Sequence, residues 1–220
     1  MKRFYIALAP LALVAGCFDE PTPAYKTVAP ETRIYLKDGA MTVFTKEALF
    51  RDGLVDIHGV GMTNLSAIAE RLAPETVEYL NLDRNALTNV DELADFTSLR
   101  WLRLNDNALE ALPDMSKFAE LRRIYLRGNK FREVPSSLKD LPKLADIDMS
   151  GNPIETLPVW LANKPGLENL SFSGTRLKEL PKDLSAWKPT LTTLQLGDLE
   201  LSEAEMHRVR TALPMTRVVF

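Results

Sequence analysis

The chain has 220 residues, of which 45% are hydrophobic and 26% are charged. This is the composition of an ordinary globular domain, and a formal net charge of −3 argues against a general nucleic-acid binder, which needs a surplus of positive charge. Cys17 is the one cysteine in the sequence, so no disulfide can form within the chain and the core alone must stabilise the fold.

The amino terminus carries the features of an export signal. Lys2 and Arg3 precede an apolar run over residues 4–15, which is too short to span a bilayer as a stable helix and fits the hydrophobic region of a signal peptide. The run ends in LVAGC at residues 13–17, which resembles the lipobox of bacterial lipoproteins. The other interpretation is an ordinary secretory signal with a coincidental cysteine.

The lipobox resemblance implies a processing route and an address. Residues 1–16 would be removed, and Cys17 would become the first residue and carry acyl chains that anchor the protein to a membrane of the bacterial cell envelope. In such lipoproteins an aspartate after the cysteine favours the inner membrane, so Phe18 favours the outer membrane if the cell has one.

The next segments predict a tether and a cap. Residues 17–32 contain three prolines and no apolar periodicity, which predicts an extended Pro-rich tether. Residues 33–54 predict a capping unit: a hairpin that turns at Asp38-Gly39, then a short helix from Thr45 through Phe50. Such a unit would cover the open end of a stacked fold.

A repeat begins at residue 55 and runs to residue 220. In its clearest copy, LRRIYLRGNKFREVP at residues 121–135, apolar residues and an asparagine fall at fixed offsets, which is the leucine-rich-repeat pattern. The first positions of six copies are Val77, Leu99, Leu121, Leu144, Leu167 and Leu191, at intervals of 22 to 24 residues. Degenerate copies precede and follow them.

Residues 55–220 therefore resemble the leucine-rich-repeat superfamily, and the whole chain resembles a bacterial leucine-rich-repeat lipoprotein. The first two full repeats look closer to the internalin-like subclass, and the repeats that contain Leu-Pro look closer to the commoner, longer type. The resemblance implies an α/β solenoid with a curved parallel sheet on its concave face, short helices or turns on its convex face, and a protein partner.

The repeat positions assign structural roles. The fourth residue of each copy predicts the centre of a short parallel strand, which gives eight strands centred on residues 55, 80, 102, 124, 147, 170, 194 and 218. Ser202 and Glu205 predict a capping box at the start of the last helix. An asparagine ladder is expected to bind backbone groups that would otherwise be buried unpaired. Its members are Asn85, Asn107, Asn129 and Asn152. Thr175 can do part of that work, and Leu199 cannot.

Chemistry-bearing motifs are scarce. No phosphate loop, dinucleotide fingerprint or metal-ligand spacing occurs, so no enzyme, catalytic residue, metal or cofactor is predicted. The third and fifth residues of each repeat face outward on the sheet and predict a concave patch that binds a protein. Its members are Tyr79, Trp101, Arg103, Arg123, Tyr125 and Arg127. Two alternatives are recognition of envelope glycan or peptidoglycan, and stacking among these side chains without a ligand. We expect a monomer whose partner is not identified by the sequence.

Overall fold

A computed structural model describes residues 31–35, 41–45, 50–51, 53–69 and 72–220. In the described part, β1 (Glu31–Tyr35) and β2 (Met41–Thr45) pair antiparallel as a hairpin, with Arg33 opposite Val43. The predicted signal peptide, Cys17, nearly all of the tether and the predicted Asp38-Gly39 turn lie outside the described residues.

The main sheet contains nine described strands, eight of which are parallel and follow one another in chain order. The parallel strands are β4 (Leu54–Asp56), β5 (Tyr79–Asn81), β6 (Trp101–Arg103), β7 (Arg123–Tyr125), β8 (Asp146–Asp148), β9 (Asn169–Ser171), β10 (Thr193–Gln195) and β11 (Arg217–Val219). The predicted eight-stranded parallel sheet is confirmed, and each predicted central residue lies in the middle of its strand.

The edge of the sheet differs from the sequence-based expectation. The sequence predicted that a capping helix ends at Phe50. In the structure Phe50 lies in β3 (Phe50–Arg51), an antiparallel strand beside β4. Residues 46–49 lie outside the described residues. The edge strand pairs with one side of β4, so β4 is hydrogen-bonded on both sides.

Short helical segments return the chain on the convex side. In the described ranges the α-helices are α1 (Ser66–Ala69), α2 (Val159–Ala162) and α3 (Glu203–Ala212). Turns of 3-10 helix cover Pro74–Thr76, Asp91–Asp95, Ser136–Leu138 and Ser185–Trp187. No described helix is long and apolar enough to cross a bilayer.

One hydrophobic core lies between the strands and the return segments. Strand residues such as Leu102 and Ile124 are fully buried, and burial of such a side chain stabilises the fold by about 2 kcal/mol relative to exposure. Apolar residues of the return segments fill the core from the convex side and are buried as well. They are Met115, Phe118, Leu138, Leu141, Leu161, Leu184 and Trp187.

Lys164 breaks this apolar pattern. It lies three residues before the first leucine of the next copy, where Leu141 and Phe118 stand in earlier copies, and it is 8% exposed. Its Nζ donates to the carbonyl oxygens of Lys139 at 2.8 Å and Leu141 at 2.7 Å. Burial lowers the pKa of Lys164, against the opposing charge of Asp140. A charged residue is accommodated because it caps carbonyl groups at the end of a 3-10 turn.

Candidate functional site

The third-position side chains of β5, β6 and β7 stand side by side on the concave face. The register places Trp101 between Tyr79 and Arg123. The ring centroids of Tyr79 and Trp101 lie 5.6 Å apart with their planes inclined by 59°. The guanidinium carbon of Arg123 lies 4.3 Å from the centroid of the Trp101 ring, a cation–π contact. The Trp101 ring is therefore in contact with one side chain from each neighbouring strand.

Arg123 links this row to the next two strands. Its Nε lies 2.9 Å from Oδ2 of Asp146, whose Oδ1 accepts a hydrogen bond from Nδ2 of Asn169 at 2.7 Å. Asp146 is only 4% exposed. A buried carboxylate without a cationic partner is strongly destabilising, so Arg123 stabilises the fold as well as shaping the surface.

Arg103 makes a second group of contacts in the fifth-position column. Its Nε and Nη2 lie 2.9 and 2.7 Å from Oδ2 of Asp83, and its guanidinium carbon lies 5.6 Å from the Tyr125 ring centroid. Burial acts to lower the pKa of Arg103, but the charge of Asp83 and the Tyr79 hydroxyl outweigh it and leave that pKa raised. The Arg103 guanidinium is therefore held in one place.

We use the name concave shelf for Tyr79, Trp101, Arg103, Arg123 and Tyr125. The structure places these five predicted residues together on three adjacent strands. All five are partly exposed. The sixth predicted residue, Arg127, lies two residues beyond β7, is exposed, and forms no ion pair with another described residue.

The shelf presents hydrogen-bond donors to solvent. Among the described residues, neither the Trp101 indole N–H nor the Tyr125 hydroxyl has a hydrogen-bond partner. Burial raises the pKa of Tyr125, and Asp146 and Asp148 raise it further against the charges of Arg123 and Arg103. Tyr125 thus keeps its proton and remains a donor at neutral pH.

The four ladder asparagines share one bonding pattern. Asn129, which is 6% exposed, accepts from the amide of Leu109 at 3.1 Å and donates to the carbonyls of Leu104 and Leu126, each at 2.9 Å. We call one turn of the solenoid, which corresponds to one sequence repeat, a coil. Each such asparagine thus binds backbone groups of the preceding coil and of its own coil. The others are Asn85, Asn107 and Asn152.

Side-chain links between coils change towards the carboxyl end. The Thr175 hydroxyl donates to Phe172 O at 2.7 Å, within its own coil, and makes no side-chain bond to the preceding one in the described structure. Hydrogen bonds from side chains on the convex side connect these later coils. Trp187 Nε1 donates to Leu161 O at 2.9 Å, and Arg208 donates to the carbonyl oxygens of residues 180–182.

Comparison with known proteins agrees with this geometry. No family model matches the chain, and no curated protein matches it significantly. Solved structures do match, among them a leucine-rich-repeat protein of Leptospira interrogans with 28% identity and a TM-score of 0.63 over 70% of this chain. This chain has the leucine-rich-repeat fold. It spans 39% of the length of the Leptospira protein.

A second set of polar links in this leucine-rich-repeat protein was missed by sequence reasoning. Asp83 Oδ1 accepts from the Asn105 amide at 2.7 Å, and Asn105 Oδ1 accepts from the Arg127 amide at 2.9 Å. Ser173 Oγ accepts from the Gly197 amide at 3.1 Å. These residues occupy the seventh repeat position, where a recurring short polar side chain is the signal that could have identified them.

Other candidate sites in the leucine-rich-repeat protein are weak. Within the described ranges, no group of three or more His, Cys, Asp or Glu side chains could hold a metal ion. His58 Nδ1 lies 2.7 Å from Asp56 Oδ1, as an isolated pair at the first parallel strand. An open cleft is lined by Glu155, Arg176 and Glu200, and none of its lining residues belongs to the concave shelf.

Proposed function

We propose that this leucine-rich-repeat protein is a non-enzymatic interaction module that binds a protein partner on its concave shelf. The observation that carries the proposal is the shelf itself, in which Trp, Tyr and Arg side chains are partly exposed and fixed by one another. These residue types are enriched where truncation costs most binding energy. Side chains already ordered in the free protein lose little entropy on binding, which favours affinity.

The ring contacts favour a protein over a glycan. A sugar that stacks on an aromatic residue needs an open ring face, but Arg123 covers Trp101 and Arg103 lies over Tyr125. The Trp101 N–H and the Tyr125 hydroxyl have no hydrogen-bond partner among the described residues. Carbonyl and carboxylate oxygens of a peptide are suitable acceptors for both.

Anchoring in the bacterial envelope is the second part of the proposal. It is supported by the LVAGC sequence and by the position of Cys17 at the end of the apolar run. The 13 residues 18–30 between Cys17 and β1 have a contour length of at most about 45 Å, so the shelf would work close to the membrane surface. Phe18 favours the outer membrane as the site of anchoring.

Fatty-acid labelling tests the anchor. Cells that express the protein are fed an alkyne-tagged palmitate analogue, and the label on the purified chain is measured. We expect label on the natural chain and none on Cys17→Ser, because the thiol is the proposed acylation site. Label that persists on Cys17→Ser would contradict the proposed anchor.

A matched pair of variants tests the concave site. We expect Trp101→Ala to abolish capture of a partner from envelope extracts, and we expect Trp160→Ala, which truncates a partly buried tryptophan on convex α2, to retain it. Circular dichroism establishes that both variants fold. Equal capture by the two variants would contradict a concave site, and binding to purified peptidoglycan without any captured protein would favour the glycan alternative.

A further inference from the structure

We infer that the partner segment is an acidic peptide, and that a basic rim next to the concave shelf binds its carboxylates. The basic rim consists of Arg127, Lys130 and Arg132. This inference rests on the proposed function and specifies the chemical class of the partner at the same site.

The basic rim is presented by a fixed loop. Its three side chains are exposed, whereas the intervening Asn129 and Phe131 are buried at 6% and 1% exposure. The Asn129 side chain bonds to the backbone of the preceding coil, and Phe131 belongs to the hydrophobic core. The two anchors hold the loop backbone, so the charges are displayed without a large loss of backbone freedom on binding.

The charges of the basic rim are not neutralised within the described structure. Arg103 and Arg123 pair with Asp83 and Asp146, but none of the three rim residues forms an ion pair with another described residue. Exposed carboxylates also occur at Glu133 in the same repeat and at Asp106 and Glu110 in the preceding repeat, and they form no ion pair with the rim. Three unpaired cations in a chain of net charge −3 form a local attraction for anions.

The geometry suits an extended peptide. Arg127 follows Tyr125 by two residues in the direction of the strand, so their Cα atoms are about 7 Å apart. A segment of three or four residues can therefore place one side chain on the shelf and a carboxylate on the rim. The Trp101 and Tyr125 donors are then positioned for its main-chain carbonyl groups. Arginine also binds carboxylates in a bidentate manner, which fixes their orientation.

Fluorescence anisotropy with a fluorescein-labelled octapeptide of alternating Leu and Glu tests this inference. The test variant is Arg127→Ala with Lys130→Ala and Arg132→Ala. The control, Lys178→Ala with Lys182→Ala and Lys188→Ala, removes the same charge from exposed lysines of later coils. We expect the test variant to bind about tenfold more weakly and the control to change less than about threefold, with affinity for the natural chain falling as salt rises.

Several results would overturn the inference. These are equal weakening in the two variants, equal binding of a peptide with Gln in place of Glu, or tighter binding of polygalacturonate than of the peptide. If the acidic peptide fails to bind while Trp101→Ala still abolishes partner capture, the acidic-peptide inference is wrong and the proposed function stands. If Trp101→Ala leaves capture unchanged, the proposed function itself fails.

Discussion

At the scale of single residues, Arg123 combines a surface position with a structural role. Its guanidinium covers Trp101 and pairs with Asp146, whose carboxylate is buried. Outward alternation in the sequence predicted a patch residue, and the ion pair with a buried partner was not part of that prediction. Any functional test that removes Arg123 would therefore mix a loss of stability with a loss of binding.

We predict that Arg123→Ala lowers the free energy of unfolding by about 3 kcal/mol. This is the lower end of the range for a broken buried pair, because Asn169 still donates to Asp146. Denaturant unfolding measures the change, and a double-mutant cycle with Asp146→Ala measures the coupling. We expect the double variant to be less destabilised than the sum of the two single changes. Strict additivity would show that the pair contributes little.

Asn129 and Thr175 occupy the same repeat position with different bonding. We predict that Asn129→Ala costs about 1 to 3 kcal/mol, because it leaves the buried Leu109 amide without its partner and removes one of the two side-chain bonds to the Leu104 carbonyl. Thr175→Ala should cost less, because Thr175 makes one side-chain bond within its own coil. Urea unfolding ranks the two variants. A larger loss for Thr175→Ala would contradict this account of the ladder.

At the scale of elements, the Glu205 side chain attaches α3 to the preceding coil, although the capping-box pattern predicted that it would bind the first turn of its own helix. Ser202 Oγ accepts from the Glu205 amide at 3.2 Å, as predicted. The Glu205 carboxylate accepts from the Leu180 amide at 2.8 Å and from Arg208, in place of the expected bond to the amide of Ser202. The helix cap thus becomes a link between coils.

This link predicts a pH-dependent stability. The hydrogen bond from Arg208 lowers the pKa of Glu205 below its ordinary value of 4.5; burial opposes this shift, and the hydrogen bond from the Leu180 amide adds to it. A depressed carboxyl pKa stabilises the fold above pH 4.5, and that stabilisation is lost as pH falls through the lowered value. We expect Glu205→Gln to cost about 1 kcal/mol at pH 7, since Arg208 is partly screened by solvent.

Unfolding measured from pH 7 to pH 2 tests the sign of this effect. The difference between the natural chain and Glu205→Gln should be constant above about pH 4.5, and it should shrink as pH falls further and passes the lowered pKa of Glu205 in the folded chain. Glu203→Gln is the control, because Glu203 is exposed and makes no side-chain hydrogen bond to a described residue. A difference that stays constant across this pH range would contradict the assignment.

At the scale of the whole molecule, each coil contacts its neighbours, so stability is a sum of coils and interfaces. Asn152 provides the last asparagine link along the chain, to the Leu126 carbonyl and the Phe131 amide. We predict that Asn152→Ala lowers hydrogen-exchange protection in β8–β11 more than in β4–β6, because the later coils can then open as a unit. Mass spectrometry of exchanged peptides measures it. Equal loss of protection in both regions would show that the solenoid opens only as a whole.

The sequence by itself determined the periodic part of this protein. Apolar residues at a fixed interval specify the strand centres, because a strand buries alternate side chains and a stacked coil repeats that demand every 22 to 24 residues. The same interval identified Asn129 and its equivalents. It also placed Tyr79, Trp101 and Tyr125 on one face of the sheet, because the residues on either side of a buried strand residue point to the opposite, outward face.

The tertiary structure decided which of those residues are open to a partner. The sequence cannot show that Arg123 covers Trp101 or that Arg103 lies over Tyr125, because such contacts depend on rotamers across strands more than 20 residues apart. For the same reason the periodic pattern could not assign Glu205 to Leu180 or Lys164 to two carbonyl groups. Repeat spacing specifies the backbone position and the facing of each residue, and packing between coils determines which partner binds the polar end of its side chain.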